Sequence, residues 1–240
     1  MLSFDDHCAE IVAQTTAMAK LIEGADLATA VPTCPRWNLD KLTRHVGGAH
    51  RWATALVETR APGFVAPERA VTDDHVAYLR DGADRLVAAL RESGPAAPMW
   101  TWTDDRTAGY WARRMMNETL VHRADAALAL GQEFTAAPEL AADAIAEWLD
   151  LASVLLAGNQ ALRGSGQTIG FRTTSGPAGW TVRRGPDGVE LLSEPVPADA
   201  TLTGPATTLL LVLTRRLPSS HVEVSGDAGL AAHWLDNASF

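Results

Sequence analysis

Apolar positions recur with a helical period in five stretches of the first two thirds of the chain. Residues three or four apart lie on one face of an α-helix, so this spacing predicts amphipathic helices. The predicted helices cover residues 5–30, with Gly24 near a possible end, 39–59 after the candidate N-cap Asn38, 73–93, 112–130 and 138–157. Four long helices joined by irregular links, here including a proline-containing link from Arg60 to Ala70, are typical of a four-helix bundle. The fifth helix would close or bridge that bundle.

The pattern changes after Gly158, where short β-prone runs alternate with turn residues. The predicted strands lie in QTIGFRTT, GWTVRR, VELLS, ATLTG and HVEVSG, and the helical runs ATTLLLVLTRRL and AGLAAHWLDN complete the region. We therefore predict an α+β protein with two domains. The first is a helical bundle over residues 1–157, and the second is a small α+β domain over residues 158–240.

Composition excludes several classes of partner. With 47% hydrophobic residues in 240, the chain can bury a substantial core, and its net charge of −9 argues against charge-driven binding to nucleic acid or to anionic membranes. Asp5 and Asp6 stand where a signal peptide would carry positive charge, so we expect a cytoplasmic protein. Separately, we expect a monomer or a homodimer. Cys8 and Cys34 lack the spacing of a zinc or redox motif and are interpreted as reduced thiols.

The fourth predicted helix carries an unusual pair of ionisable residues. Its inward stripe consists of Trp111, Met115, Glu118, His122 and Ala126. A carboxylate and an imidazole that are removed from water need partners, and one divalent metal ion would serve both. The E-x-x-x-H spacing brings Glu118 and His122 to one side of the helix. On spacing alone, an ordinary Glu–His contact or a hydrogen-bonded core histidine explains the pair equally well.

A possible third ligand lies on the second predicted helix. His45 shares an inward stripe with Leu42, Ala49, Trp52 and Leu56. Two histidines and one carboxylate would leave a coordination position open, which distinguishes catalytic from structural zinc. Iron(II) and nickel suit the same ligands, so zinc is a preference. His50 follows His45 by five residues, points to a different side and is interpreted as a supporting or structural residue.

Four stretches of the chain resemble the mycothiol-dependent maleylpyruvate isomerase family. They are VPTCPRWNLDKLTRHVGGAHRWA, RRMMNETLVHRADAAL, TLTGPATTLLLVLTRRL and VEVSGDAGLAAHWL, and the likeness covers most of the chain. The family joins a DinB-like metal-binding helical bundle to a small C-terminal domain related to sterol-carrier folds. The resemblance implies that His45, Glu118 and His122 are the metal ligands.

The resemblance also implies how such a metal ion is used. In this family it binds the sulfur of the low-molecular-weight thiol mycothiol as thiolate, which then attacks an electrophile. A cation lowers the pKa of a coordinated thiol, so the chemistry is physically reasonable. The expected cofactors are thus a divalent metal, preferably Zn²⁺, and mycothiol, and the expected partners are this thiol and a small electrophile. Both a maleylpyruvate isomerase and an S-transferase fit, and the loop Gly94–Gly109 and the C-terminal domain would select the substrate.

Two further interpretations concern the surroundings of this site. A dicarboxylate substrate would need a cation, and Arg216 at the end of a predicted C-terminal helix could supply a bidentate contact. Arginines at that position also commonly complement the helix dipole. Arg123 and Asp125 are interpreted as structural unless one of them forms a hydrogen bond with a liganding group.

The competing hypothesis is a non-catalytic metal-binding or ligand-binding regulatory protein. A fourth protein ligand would indicate such a protein, and His50 is the nearest candidate.

Overall fold

A computed structural model describes residues 2–67, 72–174 and 178–239 of the chain. The predicted link Arg60–Ala70 therefore lies partly outside the described residues. The chain divides into two compact units, residues 2–134 and the residues from Thr135 onward. The predicted α+β class is confirmed, because a helical bundle precedes a five-stranded sheet with its own helices. Within the described ranges, we find no helix with the length and apolar character needed to cross a membrane.

The first unit is a bundle of four helices. They are α1 (Phe4–Ile22), α2 (Leu39–Thr59), α3 (His75–Ser93) and α4 (Ala108–Ala129). Asn38 is the N-cap of α2, as predicted, and its side chain accepts a hydrogen bond from the backbone N–H of Lys41 at 2.9 Å. Helix α1 ends at Ile22 rather than near Ala30, since Gly24 follows with φ of 74°, a conformation that ends helices.

The helices of the bundle bury most of the predicted apolar positions, but on α2 the predicted stripe is only partly buried, because His45, Ala49 and Trp52 are half-buried while His50 is completely buried. Helix α2 packs against α3 and α4, and α1 packs against the same two neighbours. A core beside the first half of α2 consists of Met18, Ala19, Ile22, Val31, Leu39, Leu42, Val46, Leu79 and Ala126. Because α2 and α4 are neighbours, their inward-facing polar residues are brought together inside the bundle.

The connection between α1 and α2 folds into a compact loop. The N–H of Val31 donates to the carbonyl of Trp37 at 3.0 Å, and the N–H of Leu39 donates to the carbonyl of Thr29 at 3.0 Å. These bonds fix the loop at both ends, although Pro32 and Pro35 cannot donate. The loop thereby holds Trp37 at the start of α2, directly before its N-cap.

The C-terminal unit is built around a mixed sheet. Its strands are β1 (Thr168–Thr173), β2 (Gly179–Gly185), β3 (Gly188–Leu191), β4 (Ala200–Gly204) and β5 (Glu223–Gly226), in the order β3-β2-β1-β4-β5. Only the β1–β4 pair is parallel. Its helices are α5 (Pro138–Leu155), α6 (Ala206–Leu213) and α7 (Ala228–Asn237). The Phe171 and Trp234 rings, 6.1 Å apart, lie fully buried in its core.

Helix α5 belongs to the C-terminal unit. It packs on α6 and β3, and the division between the units falls between Phe134 and Thr135. The sequence pattern predicts this helix as part of the bundle, with the boundary between the two domains after residue 157. The two divisions differ by α5, because an amphipathic pattern shows that a helix has an apolar face but does not show which core covers it.

Candidate metal centre

Three side chains from two helices converge inside the bundle. His45 comes from α2, whereas Glu118 and His122 stand one turn apart on α4. The Nε2 atom of His45 lies 2.8 Å from Oε1 of Glu118, and Nε2 of His122 lies 3.2 Å from the same oxygen. One candidate ligand atom from each residue lies within 4.8 Å of the others. The predicted ligands therefore form one cluster of a size that a single metal ion could occupy.

The cluster is open on one side. His122 is 8% exposed, whereas the side chain of His45 is 37% exposed and that of Glu118 is 19% exposed. A small molecule could thus approach from the side of His45, while His122 closes the inner side. This combination is typical of a site that admits a further ligand rather than of a closed structural site.

Asp125 connects the cluster to the loop before α2. Its carboxylate is completely buried and accepts a hydrogen bond from Nδ1 of His122 at 2.7 Å. The hydroxyl of Thr33 donates to Asp125 Oδ1 at 2.5 Å, and Sγ of Cys34 lies 3.8 Å from Oδ2. Because a carboxylate can only accept here, Nδ1 of His122 carries the hydrogen, and Nε2 is the atom that can bind a cation.

The charges of the cluster favour a cation at its centre. Burial alone would raise the pKa of Glu118, but Arg114 and His122 lower this pKa well below its usual range. Burial alone would lower the pKa of His122, whereas the charge of Glu118 and the hydrogen bond to Asp125 raise it to about 9. Without a metal ion, the two carboxylates therefore keep His122 doubly protonated at neutral pH, and a cation bound at Nε2 would replace the second proton. A divalent cation would satisfy the same negative charge.

Two neighbouring groups fix the orientation of the ligands. Arg114, one turn before Glu118, donates from Nη2 to Oε2, which leaves Oε1 directed at the histidines. The Trp37 ring stacks on that of His122 at an interplanar angle of 29°, with centroids 5.8 Å apart, and its centroid lies 4.8 Å from that of the His45 ring. Sequence reasoning missed Trp37 and Thr33 as neighbours of the cluster. The only signal for Trp37 was its position next to the N-cap of the helix that carries His45.

Other residues considered from the sequence lie outside the cluster. His50 is completely buried, and its Nε2 pairs with the hydroxyl of Thr119 at 2.8 Å. His50 is not among the residues that converge, so within the described ranges it does not complete a four-ligand set. Arg216, in the C-terminal unit, donates from Nη1 to the carbonyl of Thr214 at 2.7 Å, just beyond the end of α6. This contact is the one expected of an arginine that caps a helix.

A helical bundle with a two-histidine, one-carboxylate cluster, followed by a small α+β unit, defines the class of two-domain protein to which this chain belongs. Residues 8–127 match the family model described as the mycothiol maleylpyruvate isomerase N-terminal domain. Residues 139–233 match the model described as the MDMPI C-terminal domain. The chain belongs to the mycothiol maleylpyruvate isomerase family, as the resemblance indicated.

Solved structures show the same fold. A crystal structure of the mycothiol-dependent maleylpyruvate isomerase aligns with a TM-score of 0.61 over 95% of both chains, at 16% identity. A histidine-to-alanine mutant of that isomerase aligns with a TM-score of 0.60 at the same identity and coverage. No curated protein matches this chain significantly in sequence. Because the identity is low, these structures establish the shared fold, and the reaction has to be argued from the residues of this chain.

Proposed function

We propose that this protein is a divalent-metal-dependent enzyme that uses mycothiol to attack an electrophile. The observation that supports this function is the convergence of His45 and His122 on one oxygen of Glu118. A divalent cation held by these three residues would lower the pKa of a coordinated thiol and so supply a thiolate near neutral pH. Zinc is the preferred metal, and iron(II) and nickel suit the same ligands.

The surrounding residues are suited to this role. Asp125 holds the hydrogen on Nδ1 of His122, which keeps Nε2 available for a cation. Arg114 occupies Oε2 of Glu118 and leaves Oε1 facing the cluster. The exposed side of His45 gives a thiol access from solvent. The residues therefore provide binding, orientation and access.

Two reactions share this nucleophile. In maleylpyruvate isomerisation, the thiolate sulfur adds to one carbon of the cis double bond, and the electron pair moves onto the conjugated carbonyl. Rotation about the resulting single bond and expulsion of the thiolate then give the trans product. In S-transfer, the sulfur stays attached and a leaving group departs with the bonding electrons. For a substrate with carboxylates, we propose that Arg216 binds one of them through two parallel hydrogen bonds.

A non-catalytic protein of this fold is the competing function. It would require a closed coordination sphere, for which His50 is the nearest candidate. In the described part of the chain, however, His50 bonds Thr119, and the open side of the cluster lies at His45. We therefore favour an enzyme. We also propose that it acts in the cytoplasm on small molecules, as a monomer or a homodimer, and not on nucleic acid or membranes.

Metal content is the first test of this proposal. Protein purified without chelator should contain close to one divalent ion per chain by mass spectrometry, and His45→Ala and His122→Ala should each lose it. His221→Ala is the matched control, because His221 is exposed in the C-terminal unit. If the purified chain holds no metal and takes up neither zinc, nickel nor iron(II), the proposed function is wrong.

Thiol binding is the second test. Cobalt(II)-loaded protein should develop a thiolate-to-cobalt absorption band in the near ultraviolet when mycothiol is added. The band should be absent when mycothiol is replaced by its S-methylated form, because a thioether cannot become a thiolate. A metal-loaded protein that shows no such band would support the non-catalytic alternative.

A further inference from the structure

A second cluster in the bundle consists entirely of aromatic side chains. Its members come from α2, from the link after it, from the loop before α4 and from α4 itself. We call the following residues the aromatic cluster: Trp52, Phe64, Trp100, Trp102 and Trp111. The ring centroids of the contacting pairs are 5.1 to 6.5 Å apart, mostly in tilted or edge-to-face arrangements. This geometry is the favoured one for aromatic side chains, so the cluster is a built structure.

The aromatic cluster has a buried base and an open rim. Trp111 is fully buried, whereas Phe64 is 63% exposed, and the neighbouring Val65 is exposed as well. Trp52, Trp100 and Trp102 are half-buried between these extremes. Large apolar side chains at a surface mark a binding site when they are contiguous rather than scattered.

The aromatic cluster and the candidate metal centre lie along the same pair of helices. Trp52 follows His45 by seven residues on α2, and Trp111 precedes Glu118 by seven residues on α4. Seven residues are two helical turns, or about 10 Å along the axis, and they return to nearly the same face. The contacts His45–Glu118 and Trp52–Trp111 show that α2 and α4 run antiparallel. The step from His45 to Trp52 and the step from Glu118 to Trp111 therefore run in the same direction along the bundle. The two clusters therefore lie about two helical turns apart along the interface between α2 and α4.

The side chain between the two clusters on α2 is small. Ala49 stands one turn after His45 and one turn before Trp52, and it is partly exposed. Its methyl group is much smaller than the side chains of His45 and Trp52 on either side of it. A planar molecule about 10 Å long could thus contact the indoles with one end and reach the open side of the metal centre with the other.

The polar groups of the aromatic cluster are largely engaged. The Nε1 of Trp52 donates to the carbonyl of Val65, and Nε1 of Trp111 donates to the carbonyl of Trp100 at 2.9 Å. The hydroxyl of Thr101 bonds the carbonyls of Thr103 and Asp105. A sugar ring would need several hydrogen-bond partners here, so these contacts favour an apolar occupant instead.

The charges near the aromatic cluster disfavour a dianion. Arg51, next to Trp52, is paired with Asp81, and Arg114, which lies between Trp111 and Glu118 on α4, is paired with Glu118. The loop that carries Trp102 continues with two aspartates and one arginine, so its net charge is negative. An uncharged aromatic molecule fits this environment better than a small dicarboxylate.

We propose that the aromatic cluster binds the planar apolar body of an uncharged electrophile and presents its reactive carbon to the thiolate at the metal centre. This inference rests on the proposed function and selects S-transfer to aromatic electrophiles as the reaction. With a haloarene, a bond forms between the thiolate sulfur and the ring carbon, and the carbon–halogen bond breaks. The halide leaves with the bonding electrons, and the proton of the thiol has already passed to solvent.

Binding is measured first, without any reaction. 1,3-Dinitrobenzene has the planar apolar body but no leaving group, and isothermal titration calorimetry with the full chain should show saturable binding. Trp102→Leu should weaken this binding about fivefold or more, and Trp102→Phe should restore most of it, because an aromatic ring can stack and an aliphatic side chain cannot. Phe64→Ser should also weaken it, and since Phe64 is exposed, this variant should fold even if Trp102→Leu does not. Absence of saturable binding, or equal affinity in all four proteins, would overturn the proposal.

Turnover then separates this inference from the proposed function. Mycothiol consumption is followed with 1-chloro-2,4-dinitrobenzene and with iodoacetamide, which has no aromatic body. Trp102→Leu should raise KM for the haloarene about fivefold and leave the reaction with iodoacetamide unchanged. If iodoacetamide is consumed but dinitrobenzene does not bind, the aromatic site is wrong and the metal-thiol function stands. If dinitrobenzene binds but neither electrophile is consumed, the aromatic site stands and S-transfer from a metal-bound thiolate is wrong.

Discussion

Nδ1 of His122 and Oδ2 of Asp125 are 2.7 Å apart, in the interior of the bundle and one turn from each other on α4. This contact decides which nitrogen of His122 can face a cation, because the hydrogen on Nδ1 leaves Nε2 as the ligand atom. The same carboxylate holds Thr33 of the loop before α2. Asp125 thus couples the position of that loop to the orientation of the candidate ligand.

Replacing Asp125 by Asn should therefore weaken metal binding without removing a ligand. The amide can present its NH₂ group to Nδ1 or accept from it, but it lacks the charge that supports His122, so we expect affinity for zinc to fall about 10- to 100-fold. Competition with a chromogenic chelator measures this change. Thr33→Val is the matched control, since it removes the hydroxyl that donates to Oδ1 of the carboxylate and should change affinity by less than about threefold. Equal affinities for Asp125→Asn and wild type would show that the contact is only structural.

Arg216→Ala tests the proposed carboxylate contact. Metal content should stay at the wild-type level, because Arg216 belongs to the C-terminal unit and is not among the converging ligands. Turnover of maleylpyruvate with mycothiol should fall about tenfold or more, since a charge-assisted bidentate contact would be lost, whereas turnover of a haloarene should not change. Arg215→Ala is the control, because Arg215 is exposed next to it. Unchanged kcat and KM for maleylpyruvate in Arg216→Ala would leave Arg216 as a helix-capping residue.

The predictable part of the site is the part that follows from helical periodicity. Asn38 caps α2, and the i, i+4 pair on α4 places Glu118 and His122 on one side, while His45 lies half-exposed on the face of α2 that borders α4. Periodicity could therefore name the three candidates before the fold was known, and the family resemblance implied that they are metal ligands.

The remaining part depends on contacts that no local pattern encodes. Thr33 and Trp37 reach the cluster because backbone bonds fold the loop between α1 and α2 back upon itself. Their positions follow from tertiary contacts between residues with no common period. The assignment of α5 to the C-terminal unit has the same origin, since several partners can cover an apolar face equally well.

A glycine at the end of β5 provides a test of the C-terminal unit. Gly226 has φ of 77°, and a Cβ atom there would lie 2.2 Å from the backbone carbonyl oxygen of Asp199. Gly226→Ala should therefore lower the free energy of unfolding by about 3 kcal/mol or more, because backbone strain and a clash with rigid backbone add. Gly166→Ala is the matched control: it also has positive φ, but its Cβ would meet open space, so about 1 kcal/mol is expected. Urea unfolding measures both, and equal losses would contradict the steric argument.

His50 should make the bundle sensitive to acid. Thr119 donates its single hydroxyl hydrogen to the carbonyl of Met115, so Nε2 of His50 has to donate to Thr119, and the buried Nδ1 has no partner among the described residues. Burial lowers the pKa of His50 from 6.5 to about 4, and Arg51 adds to this shift against the opposing effect of Glu118. The folded protein thus excludes a proton that the unfolded chain accepts below pH 6.5.

The sign of the effect follows from this difference. Above pH 6.5 His50 is neutral in both the folded protein and the unfolded chain, so it does not make the free energy of unfolding depend on pH. As pH falls from 6.5 to 4, the unfolded chain gains a proton that the folded protein does not, and the free energy of unfolding should fall by about 3 kcal/mol from this residue alone. His50→Gln keeps a donor for Thr119 but does not titrate, so its stability should be less dependent on pH in this window. Urea unfolding of metal-free protein at several pH values between 7 and 4 gives the difference between the two proteins, and parallel profiles would mean that His50 takes up its proton in the folded state.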